Sequence, residues 1–113
     1  MSEVDISEPS FRDKVHEVVA MIPKGKVMTY GDIAGFCGHA YAARMVGGLA
    51  HFGPLALPWQ RVVNRFGGLA DGYPGGKAGH KKQLELEGVP ISNDFVIEDF
   101  GDRRWHPTVQ PLF

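Results

Sequence analysis

The sequence predicts a mainly α-helical domain with a small β element, organised around a helix-turn-helix. Apolar residues recur at helical spacing through residues 11–22, which indicates an amphipathic first helix. Two further helical segments meet at a tight turn containing Gly38, the arrangement of a helix-turn-helix. The β-branched pair Val62-Val63, followed by glycines, indicates a short strand and a turn.

The first two helices carry recognisable start and stop signals. Ser10, with an aspartate three residues later, is typical of a capped start and predicts a helix over about 11–22. Thr29 can cap a second helix, and Asp32 at its third position can accept hydrogen bonds from the exposed amides. Gly38 ends this second helix, because glycine readily adopts the left-handed conformation of a C-terminal cap.

A third helix is predicted from about Ala40 to His51. We expect its core face to comprise Tyr41, Met45, Val46 and Leu49. The other face is almost bare and comprises Ala40, Ala43, Arg44, Gly47, Gly48 and His51. Each glycine weakens a helix by roughly 1 kcal/mol relative to alanine, so something must approach this face closely in compensation. Either a DNA groove or a neighbouring helix fits, and the spacing alone does not choose between them.

Glycine and proline are frequent after the third helix. Residues 55–70 predict a short strand or extended turn and then a loop with a basic tip, and Asp71–Gly79 predict a loop that can approach a ligand closely. A last helix is predicted from about Gly79 to Glu87, with Gly88 as its left-handed cap.

The tail beyond the last helix is acidic but retains apolar residues, which predicts that it packs back on the domain. These residues are Phe95, Val96, Ile97, Phe100, Trp105, Leu112 and Phe113. A length of 113 residues fits one domain. We therefore expect a single domain over residues 1–113, with a core over about 11–89 and the tail 90–113 packed on it.

The net charge of −1 conceals a basic middle segment. Residues 21–82 hold eight lysines and arginines against two aspartates, and a local basic surface is what phosphate binding requires. The single cysteine, Cys37, excludes an internal disulfide and a cysteine-rich metal site, and indicates a reducing compartment. We expect the cytoplasm and nucleoid in a bacterium, or the nucleus in a eukaryote. No apolar run approaches the ~20 residues of a membrane span, so no membrane partner is expected.

Five segments resemble the O6-alkylguanine-DNA alkyltransferases in order and spacing. They are Pro23–Ala34, Ala43–Gly47, Pro58–Val63, Gly72–Gly76 and Leu84–Val89. The resemblance covers roughly residues 11–89, nearly the whole C-terminal domain of that family. It implies a winged helix-turn-helix domain that enters the minor groove of DNA.

One position departs from the transferases and bears on catalysis. Their Pro-X-X-Arg-Val motif carries the alkyl-accepting cysteine followed by histidine, whereas this chain has Trp59 and Gln60 there. Glu87 matches the carboxylate that assists the thiol, but an indole is neither a nucleophile nor a base. The pattern resembles the alkyltransferase-like proteins, which bind alkylated DNA without repairing it, so we expect no catalytic residue and no enzyme activity.

The resemblance also implies roles for residues on the DNA-binding side. Arg44 matches the arginine that fills the gap left by a flipped nucleotide, which suits its planar, always-charged side chain. Tyr30 matches the tyrosine that crowds the target phosphate and promotes rotation. The predicted DNA-binding set is Tyr30, Ala43, Arg44, Gly47, Gly48 and Arg65.

A lesion pocket is predicted around Trp59, whose indole offers an alkyl group a broad apolar face and one N–H donor. Arg61 is expected to brace the pocket loop through backbone carbonyls. The predicted lining is Tyr30, Pro58, Trp59, Arg61, Tyr73, Gly75 and Gly76.

The predicted function is that of a non-catalytic sensor of O6-alkylguanine in duplex DNA. The protein would flip the base into the Trp-lined pocket and flag it for nucleotide excision repair. Duplex DNA and nucleotide excision repair proteins are the expected partners, and we expect a monomer with no metal or cofactor. Two alternatives remain: a transferase that uses Cys37 as a displaced acceptor, and a winged-helix transcription regulator without lesion preference.

Overall fold

The structure is a computed structural model that describes residues 10–108. In chain order the elements are α1 (Phe11–Met21), β1 (Met28–Thr29), α2 (Tyr30–Phe36), α3 (Ala43–Phe52), a 3-10 turn (Trp59–Arg61), β2 (Val62–Val63), α4 (Gly76–Leu86) and α5 (Phe100–Arg103). β1 and β2 pair in parallel, with Met28 opposite Val62. The predicted mainly helical class with a small β element is confirmed. Within residues 10–108, none of the helices has the length and apolar content to cross a bilayer.

The predicted helix caps are present. The Ser10 hydroxyl accepts a hydrogen bond from the Asp13 amide at 3.1 Å. At α2, the Thr29 hydroxyl accepts from the Asp32 amide at 2.9 Å, and the Asp32 carboxylate accepts from the Thr29 amide at 3.1 Å. This reciprocal pair satisfies two amides that the first turn leaves open. The start of α2 is thereby fixed next to β1, and Tyr30 is its first residue.

Two apolar clusters lie on opposite sides of the small sheet. The first joins α1, α2, α3 and Trp59, and it includes Met28 and Val62. The second joins α4 to the tail, and it includes Val27 and Val63. Successive strand residues point to opposite faces, so neighbours in β2 serve different clusters. The sheet therefore holds the helix-turn-helix against the α4 half of the chain.

The tail folds back as far as the structure describes it. The Val27 amide donates to the Arg103 carbonyl at 2.9 Å, and the Trp105 amide donates to the Val27 carbonyl at 2.8 Å. Arg104 donates to both carboxylate oxygens of Asp32, at 2.9 and 2.7 Å, which ties the tail to the cap of α2. The predicted packing of Leu112 and Phe113 lies outside the described residues.

Helix α3 differs from its prediction in its start and in its inward face. It begins at Ala43, because residues 39–42 form a turn in which the Ala42 amide donates to the His39 carbonyl at 2.8 Å. The predicted burial of Tyr41 and Met45 is wrong, since they are 87% and 60% exposed. Tyr41 precedes the helix, and α3 packs mainly on α2, so its buried stripe is narrow and centred on Val46.

The last long helix also starts earlier than predicted. It begins at Gly76, and not near Gly79, because Gly75 adopts φ +84° and acts as the N-terminal cap. Glycine tolerates this left-handed conformation without strain, so the glycine-rich stretch contains the helix start. The predicted left-handed Gly88 at the other end is confirmed, with φ +83°.

Candidate DNA interface and base pocket

The exposed side of α3 is the first candidate interface. Arg44, Met45 and Gly48 are exposed along it, and Phe52 is exposed at its end. Arg44 forms no hydrogen bond or ion pair with any residue between 10 and 108. Its guanidinium therefore projects from the second helix of the helix-turn-helix, the helix that enters a DNA groove in proteins of this architecture.

The glycines of α3 face open space. A Cβ built on Gly47 or on Gly48 would meet no heavy atom within 4 Å. Close packing against another helix within residues 10–108 therefore does not explain them, which removes one of the two interpretations left open by their spacing. The remaining interpretation is a surface that must stay shallow for an external partner.

We expect Gly48→Ala to stabilise the free protein and to weaken DNA binding. The methyl group has room, and alanine favours a helix by roughly 1 kcal/mol over glycine. The same methyl would hold a groove away from the helix backbone. Thermal unfolding and a DNA titration measure the two effects. The control is Gly101→Ala, an exposed glycine of α5 with equal room. Unchanged DNA affinity in Gly48→Ala would contradict a DNA-facing role for this surface.

A cavity of about 270 Å³ opens between α3 and the Pro58–Val63 motif. This volume is close to the lower limit of ligand sites, about 300 Å³, and suits a small planar group. The walls come from α3, the motif, the loop before α4, and α4 itself. The lining residues are Tyr30, Gly47, Ala50, His51, Gly53, Leu55, Leu57, Trp59, Gln60, Val62, Ala70, Gly72, Tyr73, Pro74 and His80.

Trp59 forms part of this cavity and part of the core. It is only 7% exposed and packs in the first apolar cluster. Its indole N–H donates to the Pro54 carbonyl at 2.9 Å, so the prediction that this N–H is available to an adduct is wrong. Gly53 is required beside it, because a Cβ there would lie 2.5 Å from the indole ring. Trp59 therefore contributes an apolar ring and no hydrogen-bond donor.

Arg61, Gln60 and Glu87 form a part-buried network behind the cavity. Arg61 Nε and Nη2 donate to the two Glu87 oxygens at 3.0 and 2.9 Å, and Gln60 Nε2 donates to Glu87 at 2.9 Å. Arg61 Nη1 donates to the Ile22 carbonyl at 2.7 Å. Burial raises the pKa of Glu87, but hydrogen bonds from Arg61 and Gln60 and the arginine charge outweigh it and lower this pKa below its usual value. The network anchors the motif to the end of α1.

The structure brings only part of the predicted lesion set together. Tyr30, Trp59 and Tyr73 line the cavity, and the predicted DNA contact Gly47 does so too. Burial raises the pKa of Tyr30. Burial also raises the pKa of Tyr73, and the charge of Glu87 adds a smaller effect in the same direction. Both phenols therefore stay protonated at neutral pH.

The other predicted site residues lie outside the cavity lining. Pro58 and Arg61 border a neighbouring depression that shares Leu55, Leu57, Gln60 and Tyr73 with the cavity. Gly75 and Gly76 form the start of α4 and do not line the cavity. Ala43 is half-buried at the start of α3. Arg65 is exposed at the tip of the turn after β2, with its guanidinium 4.7 Å from the centroid of the Phe66 ring.

His80 is a cavity residue that the sequence analysis did not single out. It is fully buried, its Nδ1 accepts from the Ala70 amide at 3.0 Å, and its Nε2 donates to the Gln60 carbonyl at 2.8 Å. Its ring stacks on Tyr73 at 4.7 Å. Burial lowers the pKa of His80 more than the Gln60 hydrogen bond raises it, so the ring stays neutral. Its spacing from Leu84 on the inner face of α4 was the available signal.

The one cysteine is not placed to accept an alkyl group. Cys37 lies at the end of α2, is 2% exposed and does not line the cavity. Burial raises the pKa of its thiol to about 11, with smaller opposing effects of the Lys14 and Glu17 charges. The thiolate is the nucleophilic form of cysteine, so very little of Cys37 is in its reactive form at neutral pH.

A helix-turn-helix beside a base-sized cavity, with the Pro58–Val63 motif in its wall, defines a known class of DNA-binding domain. The 6-O-methylguanine DNA methyltransferase DNA-binding domain matches residues 10–89, and the chain belongs to this family. Within it, the chain groups with the base-flipping and alkyltransferase-like proteins. It is 42% identical over 101 residues to the DNA base-flipping protein of Escherichia coli, covering 88% of this chain and 77% of that protein.

Two further relatives also match the chain, one alkyltransferase-like protein and one methyltransferase. Alkyltransferase-like protein 1 of Schizosaccharomyces pombe is 42% identical over 84 residues, covering 72% of this chain and 78% of that protein. A crystal structure of S. pombe Atl1 in complex with damaged DNA containing O6-carboxymethylguanine superposes with a TM-score of 0.78 at 34% identity. That match covers 86% of this chain and 95% of that one. The O6-methylguanine methyltransferase of Mycobacterium tuberculosis gives a TM-score of 0.63 and is matched over 53% of its length.

Proposed function

We propose that this protein is a non-catalytic sensor of O6-alkylguanine in duplex DNA. It binds through α3, rotates the modified nucleotide out of the helix, and holds the base in the cavity beside Trp59. The observation that carries this function is the indole at the position of the acceptor thiol, in the wall of a base-sized cavity next to a helix-turn-helix. The complexes of the S. pombe relative with DNA, one of which contains O6-carboxymethylguanine, support the same function.

Arg44 and Tyr30 have the surroundings that base flipping needs. Arg44 is exposed and without a partner among residues 10–108, so it can enter the gap that an extruded base leaves. Tyr30 lies at the rim of the cavity as the first residue of α2. Extrusion costs a few kcal/mol and costs least where a pair is already weakened, which favours a modified guanine over an intact one.

The chemistry of the cavity argues against alkyl transfer. Glu87 and Gln60 hydrogen-bond to each other and to no thiol, and the Cys37 sulfur lies outside the cavity. Because the lesion stays in place, the protein–DNA complex itself is the signal that nucleotide excision repair proteins recognise under this proposal. The protein would act where the genome lies, in the nucleoid of a bacterium or the nucleus of a eukaryote.

A binding comparison with an Arg44→Ala variant tests this function. Labelled duplexes that differ only in one central base, guanine or O6-methylguanine, are titrated with each protein. The parent protein is expected to prefer the modified duplex, whereas Arg44→Ala should weaken binding to both duplexes because it removes an inserting cation. Lys24→Ala removes an exposed cation outside the helix-turn-helix and is the control. Equal affinity of the parent protein for both duplexes would instead support a transcription regulator without lesion preference.

A further inference from the structure

The cavity beside Trp59 has few ionisable groups in its walls. Its fifteen lining residues, all within the described range, include no aspartate, glutamate, lysine or arginine; the two histidines are His51, which is exposed, and His80, which is buried. Much of the wall is hydrocarbon or aromatic ring, contributed by Ala50, Leu55, Leu57, Trp59 and Val62. A ligand group that enters this cavity therefore meets a surface with little capacity to solvate an ion.

Three of the six polar side chains in the lining are already engaged, those of Trp59, Gln60 and His80. Both ring nitrogens of His80 are hydrogen-bonded to backbone groups, and the Gln60 amide donates to Glu87. The Trp59 N–H donates to the Pro54 carbonyl. The phenols of Tyr30 and Tyr73 stay neutral and can donate a hydrogen bond, but they carry no charge.

The arginine next to the lining residue Gln60 is also committed. Arg61 donates from Nε and Nη2 to Glu87 and from Nη1 to the Ile22 carbonyl, so it cannot turn into the cavity without breaking a part-buried network. Lys77 lies 4.0 Å from Asp71, and this aspartate stands between the lining residues Ala70 and Gly72. Arg61 is thus held away from the cavity, and the exposed Asp71 places a negative charge at its edge.

An anion in this cavity would lose hydration and, while the imidazole of His51 is uncharged, would gain no positive partner from the lining. Moving an unpaired carboxylate into an apolar site is strongly unfavourable, and the phosphates of bound DNA add repulsion. We infer that the cavity selects O6-alkylguanines whose substituent is uncharged, such as methyl or hydroxyalkyl, over those that carry a carboxylate. This inference rests on the proposed function and names the class of lesion that the site accepts.

Three duplexes with the same sequence test this selectivity. They carry guanine, O6-methylguanine or O6-carboxymethylguanine at one position and compete for the protein at about pH 8, where histidine is neutral. We expect the affinity for the O6-methylguanine duplex to exceed that for the O6-carboxymethylguanine duplex by about tenfold or more, because the charge of the carboxylate is not compensated. The S. pombe relative that was crystallised with O6-carboxymethylguanine is the positive control for that duplex.

A cation added at the rim should reverse part of the selectivity. Leu55 lines the cavity and is 90% exposed, so Leu55→Lys places an ammonium there without disturbing the core. This substitution should lower the ratio of the affinities for the methyl and carboxymethyl duplexes by about fivefold, which is the effect of one favourable ion pair. Leu86→Lys adds the same charge at an exposed position outside the lining and should leave the ratio unchanged.

The outcomes separate this inference from the proposed function. Equal binding of both adducts, each tighter than guanine, would overturn the inference and leave the lesion sensor intact. A preference for the carboxymethyl adduct would overturn it as well. Failure of both adducts to bind more tightly than guanine would instead overturn the proposed function. We expect the duplex with O6-methylguanine to bind most tightly and the duplex with O6-carboxymethylguanine to bind much more weakly.

Discussion

Trp59→Ala is expected to destabilise the protein by about 3–5 kcal/mol and to remove most of its preference for O6-alkylguanine. The indole is 7% exposed in the first apolar cluster, so its loss leaves a void between α1 and α3. The Pro54 carbonyl also loses its donor. Urea unfolding measures the first effect. The ratio of affinities for modified and unmodified duplexes, measured where the variant is folded, measures the second.

Trp59→Phe separates the two roles of this side chain. Phenylalanine keeps an aromatic wall in the cavity but cannot donate to the Pro54 carbonyl. We expect a smaller loss of stability, of which the missing hydrogen bond accounts for about 1 kcal/mol, and a largely retained lesion preference. If the Trp59→Ala protein is folded and discriminates lesions as well as the parent does, the indole is not the part of the wall that contacts the base.

Arg61→Ala is expected to destabilise the protein by about 3–5 kcal/mol, because it leaves a part-buried carboxylate without its cation. The Arg61 and Glu87 side chains are 18% and 11% exposed and are joined at 2.9 Å. The Ile22 carbonyl also loses a donor, which loosens the motif from the end of α1. Arg65→Ala removes an exposed arginine near the motif and should change stability by no more than about 0.5 kcal/mol.

The pH dependence of unfolding distinguishes the ion pair from simple packing. The pKa of Glu87 is lowered in the folded protein, so its stabilising effect is complete above the unfolded value of about 4.3 and is lost as the pH falls through the folded pKa. Arg61→Ala should therefore be least harmful in acid, where the parent has also lost this contribution. An equal destabilisation across that pH range would show that Arg61 acts by packing alone.

The backbone layout was predictable from the sequence where local chemistry determines it. The Thr29 and Asp32 cap, the Gly38 turn and the Gly88 cap each depend on residues within one helical turn. The exposure of Tyr41 and Met45 was not predictable, because it depends on where α3 begins and on which partner this helix packs against. Their apolar character matches a core face, and only the position of α2 shows that this face is left open.

The candidate site was predictable in its motif and less so in its walls. Trp59 and Tyr73 were found because they stand in segments with a family pattern. His80 was missed because its role depends on the Gln60 carbonyl and the Ala70 amide, which are 20 and 10 residues away in sequence. The engagement of the Trp59 N–H was likewise set by the course of the chain at Pro54. Long-range backbone positions thus determine which donors remain free in the cavity.

Under the proposed function the protein binds an alkylated guanine and does not remove its alkyl group. Duplex DNA carrying O6-methylguanine with an isotopically labelled methyl group is mixed with excess protein, and retention of the duplex and transfer of label are followed in the same sample. We predict saturable retention of the modified duplex in preference to its unmodified counterpart, with all label remaining on the DNA. Label on the protein in stoichiometric amount, on Cys37 or any other residue, would contradict the proposed function.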